Sequence, residues 1–488
     1  AAIGTRRGML IGADIHKRAA SYPAHRDKGR NRPMHSDPAP AAGGNELRRV
    51  LASRHVSMIS IGGIVGAGLF VGSSVTINAA GPAVVLSYLI AGILVLLVMR
   101  MLGEMAVALP QVRTFTDFAR TGLGEWAGFV VGWMYWYFWI VVVPVEAIAG
   151  AQLLQQWIAL PAWLIGAGLM VIMTAVNLMS ARSYGEFEFW FSLIKVTAIV
   201  AFILVAAAWA FGLTSGGAPT WSNLVSGGGF APRGPVAVLA AVTSVYFAIV
   251  GAEITVVAAA ESREPVKAVA RMSTAVMTRI MLFYVGSILM IVTVVPWQQI
   301  VPGKSPFVAA MNAMNFHWAN QAMTLIILTA VLSCLNSAFY VTSRVLFALA
   351  AKGDAPAALV KLNRRGVPVR SVLIGSIAGL AGIAAATFSP QGVFAFLVNA
   401  SGAVILFVYL LTAFAQIRLR RARSAADQAA LPVKMWWYPA ASYIGVAGMI
   451  VVLVAMACTP KLASQFWVSI ITLALTVAAA WLHQRRRA

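Results

Sequence analysis

The stretch Gly62-Gly63-Ile64-Val65-Gly66-Ala67-Gly68 lies inside an apolar segment covering residues 56–78. Four glycines in seven residues weaken a helix strongly, each by about 1 kcal/mol relative to alanine. Backbone left unpaired at membrane depth is tolerated where it faces protein or a wet cavity. The pattern returns downstream, where Ile249-Val250-Gly251-Ala252-Glu253 echoes Ile64-Val65-Gly66-Ala67-Gly68. The two places are five spans apart, so the halves that contain them run in opposite orientations. Two interrupted helices at matching places mark an inverted repeat with a binding site between them near the midplane. Small residues in a span also serve close helix packing, and a short echo in an Ala/Val/Gly-rich chain also arises by chance. The reading therefore depends on what surrounds it.

Working outward, the 488 residues are 60% hydrophobic and only 11% charged, whereas a soluble domain carries about 25% charged residues. Apolar runs of roughly 20 residues, enough to cross a hydrocarbon core, recur along most of the chain. Twelve are expected: 56–78, 82–108, 125–156, 161–180, 185–211, 236–262, 274–296, 318–350, 370–388, 391–416, 436–458 and 462–482. Gly81-Pro82, Leu160-Pro161, the stretch 212–235 and Pro296 to Pro306 punctuate them. The net charge of +22 in a soluble protein points to nucleic acid. Here the cations sit in short loops between apolar segments, which excludes that class. With the N-terminus placed inside, 33 of the 37 lysines and arginines fall on the inner side. Outside loops hold Arg233, Lys304 and Lys461, and Lys195 lies within a span. That asymmetry supports twelve spans with both termini cytoplasmic, in a bacterial-type inner membrane.

Residues 1–50 are polar, basic and rich in Ala, Gly and Pro. They lack the apolar core of a signal peptide and read as a disordered cytoplasmic tail. Met34 opens a shorter tail of conventional form, so a native start there is one hypothesis. Residues 51–485 form the transmembrane domain: a first repeat at 56–211, a second at 236–416 and two further helices at 436–482. Cys334 and Cys458 both lie in apolar segments, and the six histidines are scattered. Neither a disulfide nor a metal cluster is expected.

Ionisable side chains at membrane depth are costly and become functional candidates by default. Lys195 sits about eleven residues into the fifth span, Glu253 follows the second interruption, and Glu146 follows Pro144 in the third span. Desolvation disfavours the charged form of an amine, so a buried Lys195 can exchange a proton during a cycle. An inert lysine held by carbonyls is the plainer alternative. Glu253 either binds a substrate ammonium or organises the sixth span. Glu146 either meets a ligand or hydrogen-bonds across helices. Glu104, Glu186, Glu188 and Glu261 fall near cytoplasmic helix ends, where pairing with loop cations competes with a gating role. The dense run Trp133 to Trp139 reads mostly as packing or lipid-facing surface. Phe247, four residues before Gly251, is a candidate lid over a substrate.

Several motifs extend this reading: Ser53-Arg54-His55-Val56 with Gly66 to Ser74, Gly81-Pro82-Ala83, Glu104-Met105-Ala106, and Tyr184-Gly185-Glu186-Phe187-Glu188-Phe189-Trp190 leading to Lys195. Gly251-Ala252-Glu253 with Glu261-Ser262, and Ser333-Cys334-Leu335-Asn336-Ser337 running to Arg344 and Gly353-Asp354-Ala355-Pro356, complete the set. Together they resemble the amino acid permeases of the amino acid–polyamine–organocation superfamily over roughly residues 47–485. Within that family, Trp133-Met134-Tyr135-Trp136 through Pro144-Val145-Glu146-Ala147, and Ala258-Ala259-Ala260-Glu261-Ser262, are similar to the GABA permeases. The resemblance implies an all-α membrane protein with a leucine-transporter-like 5+5 inverted repeat, interrupted first and sixth spans, and two added C-terminal helices. It implies no enzyme and no cofactor, but proton-driven import of a small zwitterionic amino acid, best taken as GABA (4-aminobutyrate). A broader permease or exchanger, or a non-transporting sensor, are the alternatives. Membrane lipid is the other expected partner; the oligomeric state is left open.

By the same resemblance, the backbone at Gly66, Ala67 and Gly68 receives the substrate carboxylate. Lys195 stands where sodium-coupled relatives hold a cation, and Phe247 matches a gate aromatic. Gly251 and Glu253 form the second interruption, where Glu253 matches the family's acid. Separately from the resemblance, the wider charge spacing of GABA makes Glu146 the candidate second acid for a distant ammonium. Glu261, Glu104 and Arg344 are gating or structural candidates. Ala67 departs from relatives that carry a hydroxyl residue there, which leaves a bound carboxylate to backbone donors.

Overall fold

A computed structural model of the chain describes residues 65–109, 112, 114–179, 181–214, 219–251, 253 and 278–487. The basic tail, Met34, Gly62, Gly63 and Glu261 lie outside the described residues. Among those described, all regular structure is helical. The elements are α1 (Ala67–Phe70), α2 (Ser73–Ala80), α3 (Val84–Ala108), α4 (Phe115–Leu123), α5 (Glu125–Leu154), α6 (Ala162–Met179), α7 (Ala181–Ala210) and α8 (Gly234–Ile249). They continue with α9 (Ser287–Val294), α10 (Pro306–Ala313), α11 (His317–Ala351), α12 (Val369–Ala386), α13 (Pro390–Arg421), α14 (Ala425–Ala430), α15 (Ala440–Ala457) and α16 (Ala463–Arg487).

Among the described residues, nine helical stretches are long and apolar enough to cross a membrane, and Gly234–Ile249 and Ile280–Val294 are shorter apolar helices. The longest stretch, Ala67–Ala108, contains two of the expected spans, turned at Gly81-Pro82. Every one of the twelve expected spans is therefore represented by a helix. Local chemistry accounts for several starts. The Thr114 side chain caps α4 by accepting from the Asp117 amide, as N-cap hydroxyls do. Ser389 caps α13 in the same way, with Pro390 at the first helical position, where its missing N–H costs nothing. The seventh span is wound as a π-helix over Ile280–Gly286 before it becomes α9.

Boundaries differ from expectation in two informative places. The fifth span was expected from residue 185, yet α7 begins at Ala181. Polar residues do not stop a helix, so the charged segment before the apolar run is helical too. The sixth span was expected to run to 262, but α8 ends at Ile249, and residues 254–277 lie outside the described set.

Helix α5 is the hub, packing against α11, α13, α12, α4, α6 and α16. Helix α8 packs against α13, α15, α2 and α3, and α7 against α11. The interior is continuous from α1 to α15, built of Val, Leu, Ile, Phe and Ala. The periphery is also apolar: Val171 and Ile172 on α6, and Trp467, Ile471 and Leu475 on α16, are exposed. Apolar surface on that scale suits lipid as solvent.

Candidate functional site

The first interruption shows how the chain makes a polar spot in an apolar core. Gly66 is non-helical, with φ −139° and ψ −144°, and α1 starts at Ala67. The first amides of a helix have no intrahelical acceptor. The Ala67 N–H instead donates to both carboxylate oxygens of Glu146, at 3.0 and 2.9 Å. Glu146 is 1% exposed and reaches this amide from α5, just past Pro144. The Cys334 side chain crowds the same spot beside Gly66. Glycine at 66 is required by crowding, since a Cβ there would lie 2.7 Å from Glu146 Oε1 and 2.7 Å from Cys334 Sγ.

The second interruption is built differently. Helix α8 ends at Ile249, and Gly251 has φ +109°, a conformation that side chains oppose. The Gly251 amide donates to Glu253 Oε2 at 3.0 Å. The Tyr135 hydroxyl donates to Glu253 Oε1 at 2.8 Å, and the Tyr409 hydroxyl to Oε2 at 2.9 Å. Tyr284 donates to the Ala248 carbonyl at 2.7 Å, satisfying an acceptor at the open end of α8. Glu253 thus spans α5, α13 and its own loop, and its contacts are those that hold the break in shape. The two interruptions touch. A Cβ on Gly68 would stand 2.8 Å from Ala248 Cα and 3.3 Å from the Phe247 ring. Phe247 is buried and packs on Phe138, ring centroids 6.0 Å apart.

Lys195 is wholly buried on α7, at 0% exposure. Its Nζ donates to Ser333 Oγ at 2.8 Å and stands 3.5 Å from Glu188 Oε1. Ser333 donates in turn to Glu188 Oε2 at 2.6 Å, and Ser192 and Ser337 reach the same carboxylate at 3.3 and 3.4 Å. Sequence reasoning placed Glu188 near a cytoplasmic helix end, with pairing to loop cations and a gating role as the alternatives. The structure buries it completely, against Lys195 of its own helix and Ser333 and Ser337 of α11. The signal was present in the spacing: seven residues, two helical turns, put Glu188 and Lys195 on one face. Ser333 and Cys334 are consecutive on α11, so one helix touches both the lysine cluster and the Ala67 seat.

The remaining candidates stand apart from these breaks. Glu104 pairs with Arg420 at 2.5 Å and accepts from Gln416 at 2.8 Å and from the Met435 amide at 2.6 Å. This ties α3, α13 and the segment before α15 together. Arg344 donates to Ser343 Oγ at 2.9 Å and stacks on Tyr340, 3.6 Å from the ring centroid. Tyr135 and Tyr409 were missed by sequence reasoning, which read most of the Trp133 to Trp139 run as packing or lipid-facing surface and did not single out Tyr409. A cavity of about 580 Å3 opens beside the seat, lined in part by Val71, Ala149, Gln152, Asn312 and Gln391. Val71 and Ala149 each lie about one helical turn from Ala67 and Glu146. At the far end of α5, Arg120 pairs with Asp354 and Glu125, and Lys352 with Asp117 at 2.5 Å.

Residues 55–486 match the family model described as amino acid permease. The chain belongs to the amino acid permease family. It is 44% identical over 413 residues to the gamma-aminobutyric acid permease of Bacillus subtilis (strain 168), covering 84% of this chain and 88% of that one. It is 42% identical over 425 residues to the gamma-aminobutyric acid permease of Escherichia coli (strain K12), covering 85% and 90%. The aromatic amino acid transport protein AroP of Corynebacterium glutamicum is 38% identical over 394 residues, with 80% and 85% covered. Among solved structures, a manganese transporter of Eremococcus coleocola superposes with a TM-score of 0.56 at 13% identity, over 90% of this permease and 96% of that chain. That likeness shows the leucine-transporter-like fold alone. This permease is a multi-pass membrane transporter of amino acids, and its family and relatives are not enzymes.

Proposed function

We propose that this permease imports GABA across a bacterial-type inner membrane by proton symport, with both termini cytoplasmic. The observation that carries the reading is the Ala67 amide, which holds the Glu146 carboxylate at the first interruption in a chain 42% and 44% identical to GABA permeases. A substrate carboxylate takes that amide in exchange for Glu146. The displaced Glu146 carboxylate remains beside the site and meets the ammonium. GABA separates its charges by more atoms than an α-amino acid does, which suits an acid set back from the seat. Phe247, at the contact between α1 and α8, closes over the bound molecule. The orientation is supported by the placement of 33 of 37 cations on one side.

Lys195 carries the proton in this scheme. It takes one up when the site opens outward and releases it inward, altering how the first span packs on α7. The test is uptake of a labelled panel, GABA and aromatic amino acids included, into proteoliposomes with and without an uncoupler. The expected result is GABA accumulation that the uncoupler abolishes. A Lys195→Ala variant is expected to bind GABA yet fail to concentrate it; accumulation at the normal level would remove the lysine from the scheme. The AroP likeness supports a broader permease as the second reading, and uptake of aromatic amino acids in preference to GABA would favour it. Transport that requires internal amino acid and ignores the uncoupler would indicate exchange.

A further inference from the structure

We propose that Glu188 is the second proton-holding group of the coupling unit, receiving through Ser333 the proton that Lys195 releases. The proposal rests on the symport reading above and names a residue that reading does not use.

The geometry is that of a relay more than of a simple ion pair. A close charged pair has its nitrogen and oxygen within about 2.7–2.9 Å. The direct Lys195–Glu188 distance is 3.5 Å, while a hydroxyl stands between the two groups at 2.8 and 2.6 Å. Ser333 accepts from the ammonium with its oxygen and donates to the carboxylate with its proton, so donor and acceptor are already aligned for transfer. The step balances. An N–H bond of the Lys195 ammonium breaks as Ser333 Oγ gains that proton, and the original Ser333 O–H breaks as Glu188 Oε2 gains its own. The products are a neutral amine, a neutral carboxylic acid and an unchanged serine. The local charge sum stays at zero throughout, which matters where an unpaired buried charge is expensive.

Glu188 springs from a turn of α7 nearer the end that the cation count assigns to the cytoplasm, but its carboxylate stands only 3.5 Å from Lys195 Nζ. The relay therefore hands the proton over locally, and a change in how α11 packs on α7 opens it to the inner side. The connecting hydroxyl belongs to α11, so any sliding of α11 on α7 breaks the path. Cys334, the next residue on α11, crowds Gly66 at the same spot as the Glu146 carboxylate, which links seat occupancy to the Ser333 position by one peptide unit. Glu146 and Cys334 are two further ionisable groups among the described residues whose fields reach this pair.

The experiment uses the full chain in proteoliposomes with labelled GABA. Two quantities are compared: accumulation driven by a pH gradient, and counterflow against internal unlabelled GABA across a range of equal internal and external pH. For Glu188→Gln the expected result is retained counterflow, loss of its pH dependence, and an accumulation ratio of about 1, the value of an uncoupled carrier. Ser333→Ala, a small change that leaves both charges in place, is expected to keep counterflow and to slow net uptake about tenfold or more. Wild-type accumulation in Glu188→Gln would overturn the proposal. So would a proportional loss of counterflow and accumulation in both variants, which would make the cluster structural. Absence of gradient-driven accumulation in the wild type would instead refute symport itself, so the two failures are read from different samples.

Discussion

A methyl group at position 66 would have to share space with Glu146 Oε1 and the Cys334 side chain. Overfilling a packed site costs about 1–3 kcal/mol. Gly66→Ala is therefore expected to raise the KM for GABA about tenfold or more, seen in initial-rate uptake, with the protein still monodisperse in detergent. Glu253 is a separate case. Its two oxygens accept from Tyr135, Tyr409 and the Gly251 amide. A glutamine keeps one acceptor and turns the other into a donor, so at least one tyrosine hydroxyl must turn from donating to accepting and its proton loses that acceptor. Leaving a buried polar group unsatisfied costs about 1–3 kcal/mol, and Glu253→Gln is expected to lower the melting temperature and the transport rate together. Lys195, Glu146 and Gly66 were legible in the sequence because a membrane makes charges and glycine clusters conspicuous. Tyr135 and Tyr409 were not, since their partner lies 118 and 156 positions away along the chain and nothing local marks a tyrosine as more than packing.

At the level of elements, Glu104 shows a charge used to fasten helices. It joins α3 to Arg420 and Gln416 of α13 and to the Met435 amide, and Arg420 is itself largely buried. Removing one member of a buried pair strands the other, at about 3–5 kcal/mol. Glu104→Ala is expected to lose stability by thermal denaturation while the KM of the surviving folded fraction is unchanged. A selective rise in KM would contradict this. The sequence revealed each of these helices through its apolar run, and even the turn at Gly81-Pro82 inside one continuous stretch. It misplaced the start of α7 because hydropathy reports where lipid begins, whereas a helix ends only where its backbone hydrogen bonds do. Glu188 lay inside the expected span, but close to its end, where nothing in the hydropathy separates a buried carboxylate from one that pairs with loop cations.

At the level of the whole molecule, the cavity lies at one end of α5 and a set of ion pairs at the other. Asp354 receives Arg120 and lies 3.8 Å from His483 and 3.9 Å from Arg487, tying α4, the end of α11 and α16 together. Asp354→Asn weakens that end without touching the seat. In a Cys458→Ser background, it is expected to speed alkylation of the buried Cys334 by a thiol reagent applied from the Asp354 side, and substrate is expected to alter that rate. Equal rates in the two proteins would mean that the pairs do not hold the closed end. Charge counting along the sequence proposes which loops share each of the two faces of the molecule. Which residues close one of them depends on contacts between segments more than two hundred positions apart, such as Arg120 and Asp354.

Glu146 is a competitor that dilution does not remove. It is tethered to the protein and rests on the Ala67 amide, so it acts at an effective concentration of order millimolar. The affinity an uptake assay registers is then the intrinsic affinity of the seat reduced by the fraction of time the seat is free. Selection could retune the carrier for richer or poorer surroundings through the strength of this internal contact, leaving every group that touches the substrate as it is. The same side chain would let an acid without an amine gain little by displacing it, since nothing then repays the loosened carboxylate. Selectivity for a zwitterion over a simple carboxylic acid would thus come from an occupant that only the right guest can compensate for leaving.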